Sequence, residues 1–556
     1  MRNLFLFLLI SSCSYEQEVK EADLILTSNK VILITGNKQA QPLSIAVKNK
    51  EIIWIGSHKK AKRIQGKHID FGNKAILPGF IDAHGHASYL AFATQVANIA
   101  SPPVGNINNI KELQAELKKF INDSKLKPGE WVMGLGYDDS LLAEQRHPTK
   151  DDLDEVSTEH PIYLIHVSAH LGAANSLALS LANISSETQD PPGGKIRRYE
   201  HSSEPNGVFE ETAAYPLQQL AMSAYKDPIG SVKKAMSIYA RNGITTAQDG
   251  ASSPESISLM KAADAQGMIN LDIISYPIGQ NGLDKNLDSI NFGNYQGRLK
   301  IGGIKLILDG SPQGKTAYLT EPYYKPPHSE SDSYRGYPLI PQLEVSKWVK
   351  KYADLNIPIM AHANGDAAAD MLIKAVKDAD ITSDHRTIMI HAQTVREDQL
   401  DQMKELRIIP SYFSTHTFYW GDWHRDSVFG KNRAMRISPT KSSLNRKMPF
   451  TVHNDAPVVP PDMIRLLWST TNRKTRSGEV LGEEQKISTY SALEAITINA
   501  AYQHFEDDIK GSIEVGKLAD LVVLSEDPLS ISSDQLLTLK VIATYSHGKE
   551  IFKNEK

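Results

Sequence analysis

A single cysteine, Cys13, stands in 556 residues, so no intramolecular disulfide can form and stability must come from packing. No apolar run approaches the roughly 20 residues that cross a bilayer as a helix. Charge of one sign is missing too. Lys and Arg number 61 against 65 Asp and Glu, a formal net charge of -4, so no global field favours nucleic acid or an anionic membrane. No internal repeat or low-complexity segment stands out, which argues against a solenoid or a disordered tract. What remains is a globular composition, 41% hydrophobic and 23% charged, in a chain too long for one small core.

The one cysteine is informatively placed. Met1-Arg2-Asn3 carries a positive charge, Leu4 to Ile10 is a short apolar run, and Ile10-Ser11-Ser12 brings small residues up to the thiol. This resembles a bacterial lipoprotein signal, in which residues 1–12 are removed and Cys13 is lipidated. An ordinary secretory signal is the competing reading. Ser14, not Asp, follows, which resembles the default outer-membrane sorting pattern. The expectation is a bacterial cell-envelope protein, anchored at the outer membrane facing the periplasm and touching the membrane through its lipid alone.

Residues 13–21 read as a polar linker. Residues 22–76 hold short strands with turns at Gly36-Asn37 and Lys48-Asn49-Lys50. A barrel domain is expected over 77–505, with an insertion over about 100–230 that contains an amphipathic helix from Ile110 to Ile121. Beyond residue 231, short apolar segments alternate with helical patterns. With Ala75 to Asp82 these segments make eight strands: Ile244 to Gln248, Leu271 to Tyr276, Ile304 to Leu308, Pro358 to Ala361, Thr387 to Ile390, Ile408 to Tyr412 and Phe450 to Val452. Eight β/α units predict an α/β protein built on a (β/α)8 TIM barrel. Ser491 to Tyr502 reads as one further helix, and 506–556 returns to strands.

Several strands end in a metal-binding residue. His84 and His86 follow the first, and period-2 alternation would put both imidazoles on one face. His362 and His391 each close an apolar run, and Asp455 follows the last strand. Barrel active sites lie at the C-terminal strand ends, so these five would converge. Lys305 lies inside an apolar strand, where burial lowers its pKa; a neutral lysine takes up carbon dioxide to form a carbamate, an anionic bridge between two metals. Taken singly, each has a plainer explanation: hydrogen-bonded core histidines, two loop histidines, or a lysine that snorkels or pairs with Asp309. One suitable residue per strand in strand order favours the metal.

The chain resembles the amidohydrolase superfamily and, within it, the YtcJ-like amidohydrolase family 3 enzymes. The likeness is carried by Leu77 to His86, by Lys305 through Asp309-Gly310-Ser311 to Thr316-Ala317, by His362-Ala363-Asn364-Gly365-Asp366, by His391-Ala392-Gln393 and by Asn454-Asp455-Ala456-Pro457-Val458. Gly511 to Val523 is similar to the C-terminal β signature, and Gly136-Tyr137-Asp138, His166 to His170, Asn175-Ser176 and Gly207 to Glu210 match within the insertion. Ala367 and Asn454 depart from the pattern, at positions that bear on substrate preference and not on ligands.

The resemblance implies a composite β-sandwich built from both chain ends. It also implies one or two divalent ions, zinc first, with Mn2+, Fe2+ or Ni2+ as substitutes. His84, His86 and Asp455 would hold one ion, and His362 and His391 the other, with carbamylated Lys305 between them. The expected reaction is hydrolysis of a non-peptide C–N bond in a small N-substituted amide or formamide by metal-activated hydroxide, with Asp455 as general base and then acid. Asp366 and Asp309 are candidates to steer ligand histidines, Asp309 equally a loop cap. His166, His170 and Gln313 are candidates to face the substrate, and the Trp420 to His424 stretch is either a pocket wall or a packed loop. An ester, lactone or phosphoester hydrolase on the same site, or a non-catalytic lipid-anchored binding protein, are the alternatives. A homodimer is compatible with all of them.

Overall fold

The computed structural model describes residues 19–222, 226–279, 290–327 and 330–554. Residues 1–12 and Cys13 lie outside the described residues. Among those described, no helix is long and apolar enough to cross a membrane.

Both ends of the chain build one eight-stranded sheet. Glu21–Val31 pairs antiparallel with Gln41–Lys48, which turns back through Asn49 and Lys50 into Glu51–Gly56. Both turn residues take positive φ, 50° and 73°, as a two-residue hairpin with the twist of its strands requires. On its other edge Glu21–Val31 runs parallel to Gln65–Asp70, a strand absent from the sequence reading, and then to Ala75–Pro78. Ala75–Pro78 pairs antiparallel with Leu521–Leu524, and Val541–Ser546 and Lys549–Lys553 complete the order. Leu24, Leu26, Ile45, Val47, Ile76, Leu521 and Val523 pack on one face, while Ile25, Ala46 and Trp54 cluster separately. The hydrogen bonding thus joins the two ends in one continuous sheet. The expected linker ends one residue early, since the first strand starts at Glu21.

The barrel strands are β1 (Phe80–Ile81), β2 (Ile244–Ser252), β3 (Asp272–Pro277), β4 (Ile304–Ile307), β5 (Ile359–Ala363), β6 (Ile388–His391), β7 (Ile409–Tyr412) and β8 (Thr451–Val452). Neighbours run parallel in chain order, β3 meeting β4 through the Ile278–Lys305 bridge. Backbone bonds from Asp455 N to the His84 carbonyl (3.1 Å) and from His86 N to the Ala456 carbonyl (2.8 Å) tie the segment after β8 back to the segment after β1. This succession is consistent with the expected eight-stranded β/α barrel. Amphipathic helices Gln342–Asp354 and Asp366–Ala379 pack on its outside. Ser491 to Tyr502 divides into Thr489–Ala495 and Ile498–Gln503.

The insertion contains the expected helix, Ile110–Asp123, capped by the Asn109 side chain and burying Ile110, Leu113 and Leu117. It also holds a six-stranded sheet that the sequence did not disclose, running from Gly194–Arg198 to Ala97–Asn98. Its strands carry little polar–apolar alternation because both faces are covered: Ile162–His166 is buried throughout. This unit has its own core and lays the turn 166–170 and Glu211 against the barrel mouth.

Candidate metal centre

The loop after β1 is held from two sides. Gly250 N donates to the Gly85 carbonyl (2.8 Å), and Asp249 receives the backbone N–H of Ser88, fixing the start of helix Ala87–Ala93. The segment after β8 holds the opposite edge. β1 ends at Ile81, so strand alternation is not what aligns His84 and His86; this double clamp does it. A side chain at Gly85 would collide with the Asp82 carboxylate. Burial, with Asp455 nearby, pushes Asp82 up to about 7.

The clamp delivers His84 Nε2 to 3.3 Å and His86 Nε2 to 3.0 Å from one oxygen of Asp455. Lys305 Nζ, inside β4, lies 3.1 Å from His84 Nε2. From β5 and β6, His362 Nδ1 and His391 Nε2 meet at 3.2 Å, and His391 Nε2 is 4.0 Å from the other oxygen of Asp455. His391, Ala392 and Asp455 take positive φ (70°, 44° and 58°), so the backbone turns sharply where it presents these donors. The six residues that the sequence pointed to are thus brought together.

Three of the imidazoles, those of His84, His362 and His391, spend their other nitrogen away from the centre. His84 Nδ1 donates to the Gln248 amide oxygen at 2.5 Å, and His362 Nε2 to the Gly310 carbonyl at 3.1 Å. His391 Nδ1 donates to His453 Nε2 at 3.2 Å, and His453 Nδ1 to Ser411 at 2.9 Å. This pattern leaves an unprotonated nitrogen of these three rings facing inward, as metal-binding histidines require. Burial holds His84, His362 and His391 well below the ordinary imidazole range, and so neutral. Burial also pushes Lys305 down to about 7, with Asp455 only partly opposing it. The Asp455 carboxyl is held well below the ordinary range: burial opposes its charge, but the adjacent His391 ring and the hydrogen bond from His86 Nε2 at 3.0 Å outweigh that.

Nitrogen lone pairs and a carboxylate crowded within 4.8 Å, as for His84, His86 and Asp455, suit a divalent cation with nitrogen and oxygen ligands. The donor set fits the expected ion.

The remaining candidates divide. The His170 ring lies 5.1 Å from that of His362, and its Nδ1 donates to Glu211 at 2.7 Å. Burial alone would lower its pKa; Glu211 outweighs this and holds it raised. His166 turns away to Asp139 (3.0 Å) and Ser168 (2.8 Å) inside the insertion. Asp366 is not a partner of a ligand histidine: it receives the N–H of Thr320 and pairs with Arg396. Asp309 is a loop cap, receiving the backbone N–H groups of Tyr318, Asn364 and Gly365, though one oxygen is 3.5 Å from His362 Nε2. Gln313 is buried, with its side-chain oxygen unpartnered among the described residues. Trp420 donates to Asp138 and Trp423 to the Gln313 carbonyl; the stretch is the packed end of helix His416–Trp423 and its continuation, not a loop. Three residues at the site were not foreseen: Gln248, His453 and Glu211. The signal for Gln248 was an amide at the end of the strand segment Ile244 to Gln248, and for His453 a histidine two residues before Asp455.

A family model described as "Amidohydrolase family" matches residues 67–552. The chain belongs to the amidohydrolase family. It is accordingly a hydrolase, and the donor set at the barrel mouth is its candidate metal centre. The chain is 27% identical over 547 residues to the N-substituted formamide deformylase of Arthrobacter pascens, covering 94% of this chain and 97% of that one. Against the putative amidohydrolase YtcJ of Bacillus subtilis it is 24% identical over 536 residues, 92% of this chain and 96% of the relative. An uncharacterized metal-dependent hydrolase from Pyrococcus horikoshii superposes with a TM-score of 0.72 at 22% identity, covering 92% of this chain and 99% of that structure. That likeness concerns the fold of this amidohydrolase alone.

Proposed function

We propose that this amidohydrolase cleaves a non-peptide C–N bond in a small N-substituted amide or formamide. The observation that carries the reading is the convergence of Lys305 with His84, His86, His362, His391 and Asp455 in one buried site. The resemblance to an N-substituted formamide deformylase along almost its whole length supports the substrate class. His84, His86 and Asp455 would hold one ion, zinc first, and His362 and His391 a second, with Lys305 between them as a carbamate drawn from dissolved carbon dioxide. When bound, such ions supply Lewis-acid activation of water and of the scissile carbonyl. The closed barrel and a two-layered terminal domain belong to the same reading.

The chain's own residues then move the proton. The Asp455 carboxylate accepts a proton from the attacking water and returns it to the departing nitrogen as the C–N bond breaks, so that amide and water become carboxylic acid and amine. The His170–Glu211 pair, delivered by the insertion beside His362, orients the substrate carbonyl. The sheet of the insertion shields the reacting atoms from bulk water.

The deciding assay presents N-substituted formamides, N-substituted amides, esters and lactones to the zinc-loaded protein, with and without chelator. Release of amine and acid that chelator abolishes is the expected result. Faster turnover of esters would give the site to the esterase reading, and no turnover with zinc or manganese present would give it to a binding protein. We also propose lipid attachment at Cys13; a Cys13→Ser protein should leave the membrane fraction, and retention would refute the tether.

A further inference from the structure

We infer that Gln248 is a positioning residue that selects the tautomer and aim of His84, and that Gln503 and His504, near the C-terminus, lock it in that state. The inference rests on the reading of His84 as a metal ligand.

Gln248 is wholly buried in β2, so its amide has no water to fall back on. Its nitrogen lies 2.7 Å from the Ala83 carbonyl, which can only accept, and its oxygen lies 2.5 Å from His84 Nδ1. A flipped amide would set oxygen against oxygen at Ala83. The amide is therefore fixed with its oxygen toward His84, and an amide oxygen can only accept. Nδ1 must carry the proton. Nε2 is left as a lone pair facing Lys305 and Asp455.

The next layer makes the same choice. The Gln503 nitrogen donates to the same Ala83 carbonyl at 2.6 Å and lies 3.0 Å from His504 Nε2, while its oxygen receives the Thr451 hydroxyl at 2.8 Å. His504 Nε2 also faces the Gln248 nitrogen at 3.4 Å, and its Nδ1 donates to Tyr276 at 3.0 Å. Every amide and ring in this buried layer has one consistent proton assignment, and reversing His84 would break the set. Packing agrees: a side chain on Gly250 would strike the His84 ring and sit 2.8 Å from the Gln248 oxygen.

The test is zinc affinity of the full-length chain, measured by competition with a chromophoric chelator. Gln248→Leu, which removes the acceptor at nearly constant volume, should weaken zinc binding about 10–100-fold. Gln248→Glu, buried and protonated so that its O–H donates to the Ala83 carbonyl while its other oxygen still accepts from Nδ1, should restore affinity to within about threefold of wild type. Equal affinity in the Leu variant, or a Glu variant as weak as the Leu variant, overturns the inference. Should the Leu variant not fold, 15N spectra of metal-free wild-type protein labelled at histidine decide the matter, with His84 identified by loss of its signal in His84→Gln. An Nδ1–H tautomer supports the inference and an Nε2–H tautomer overturns it. A wild type that binds no zinc at all overturns instead the reading of the centre on which this rests.

Discussion

Two buried lysines at opposite ends of the barrel show how differently one residue type behaves. At the mouth, Lys305 faces imidazoles and has only Asp455 to favour its charge, so burial brings it down to about 7. At the floor, Lys510 Nζ lies 2.6 Å from Asp272 and 3.0 Å from Glu506. Burial opposes its charge as well, but Glu506, Tyr295 and Asp272 hold it well above the ordinary range. Arg298 and His547 join Asp272, at 2.9 Å and 3.0 Å, and Lys300 joins Glu506 at 2.7 Å. The floor is a closed set of opposite charges. The mouth is a set of lone pairs short of positive charge, and that shortage is what suits it to a cation.

The largest effect that separates the two ends should come from His84→Ala or His391→Ala. Each should lose bound metal and cut kcat/KM by ~10³-fold or more, with the metal-free fold intact. Full activity in either would dissolve the distinction. Asp455→Asn should lower kcat by about 10²–10³-fold while losing less metal than His84→Ala, because its proton-transfer role is removed as well as its charge. Loss of metal with no further loss of kcat would make it a ligand alone.

Lys510→Met should do the reverse. It removes the cation that Asp272 and Glu506 share, leaving them Arg298, His547 and Lys300, and should cost about 3 kcal/mol of stability in denaturant unfolding, while the folded fraction keeps its metal. An unchanged unfolding midpoint would contradict the floor's structural role.

The smallest effect lies in pH. Lys305 has a folded pKa of about 7 against an ordinary value of 10.5. Between those values the unfolded chain binds a proton that the folded chain does not, so this lysine's contribution to stability rises with pH across that window and is flat below it. Metal-free Lys305→Met should therefore gain on wild type as pH falls from 10.5 toward 7; a pH-independent difference would show that Lys305 keeps its charge. Asp272, held low by Lys510 and His547 against burial, has the same sign in a different window: its stabilisation is present above the ordinary carboxylate range and is lost in acid.

The mouth was legible because its candidate ligands lie within or shortly after apolar strands, and barrel topology gathers strand ends. The floor was not, because Asp272 and Lys510 are 238 residues apart and neither sits in a telling pattern. Asp366 was misread for the same reason: adjacency to His362 suggested partnership, yet the turn into helix Asp366–Ala379 points it at Thr320 and Arg396. Gln248 shows the limit from the other side. An amide in a strand announces only that something buried must satisfy it, and the partner is chosen by a loop 164 residues away.

The pairing of Ala75–Pro78 with Leu521–Leu524 has a consequence for synthesis. The stretch leading into His84 and His86 lacks its neighbouring strand until nearly the whole polypeptide has left the ribosome. Completion of the pocket's support is therefore late, postponed until translation is almost finished, and a chain cut short before residue 521 holds these histidines only by the clamps from Asp249, Gly250 and the segment after β8.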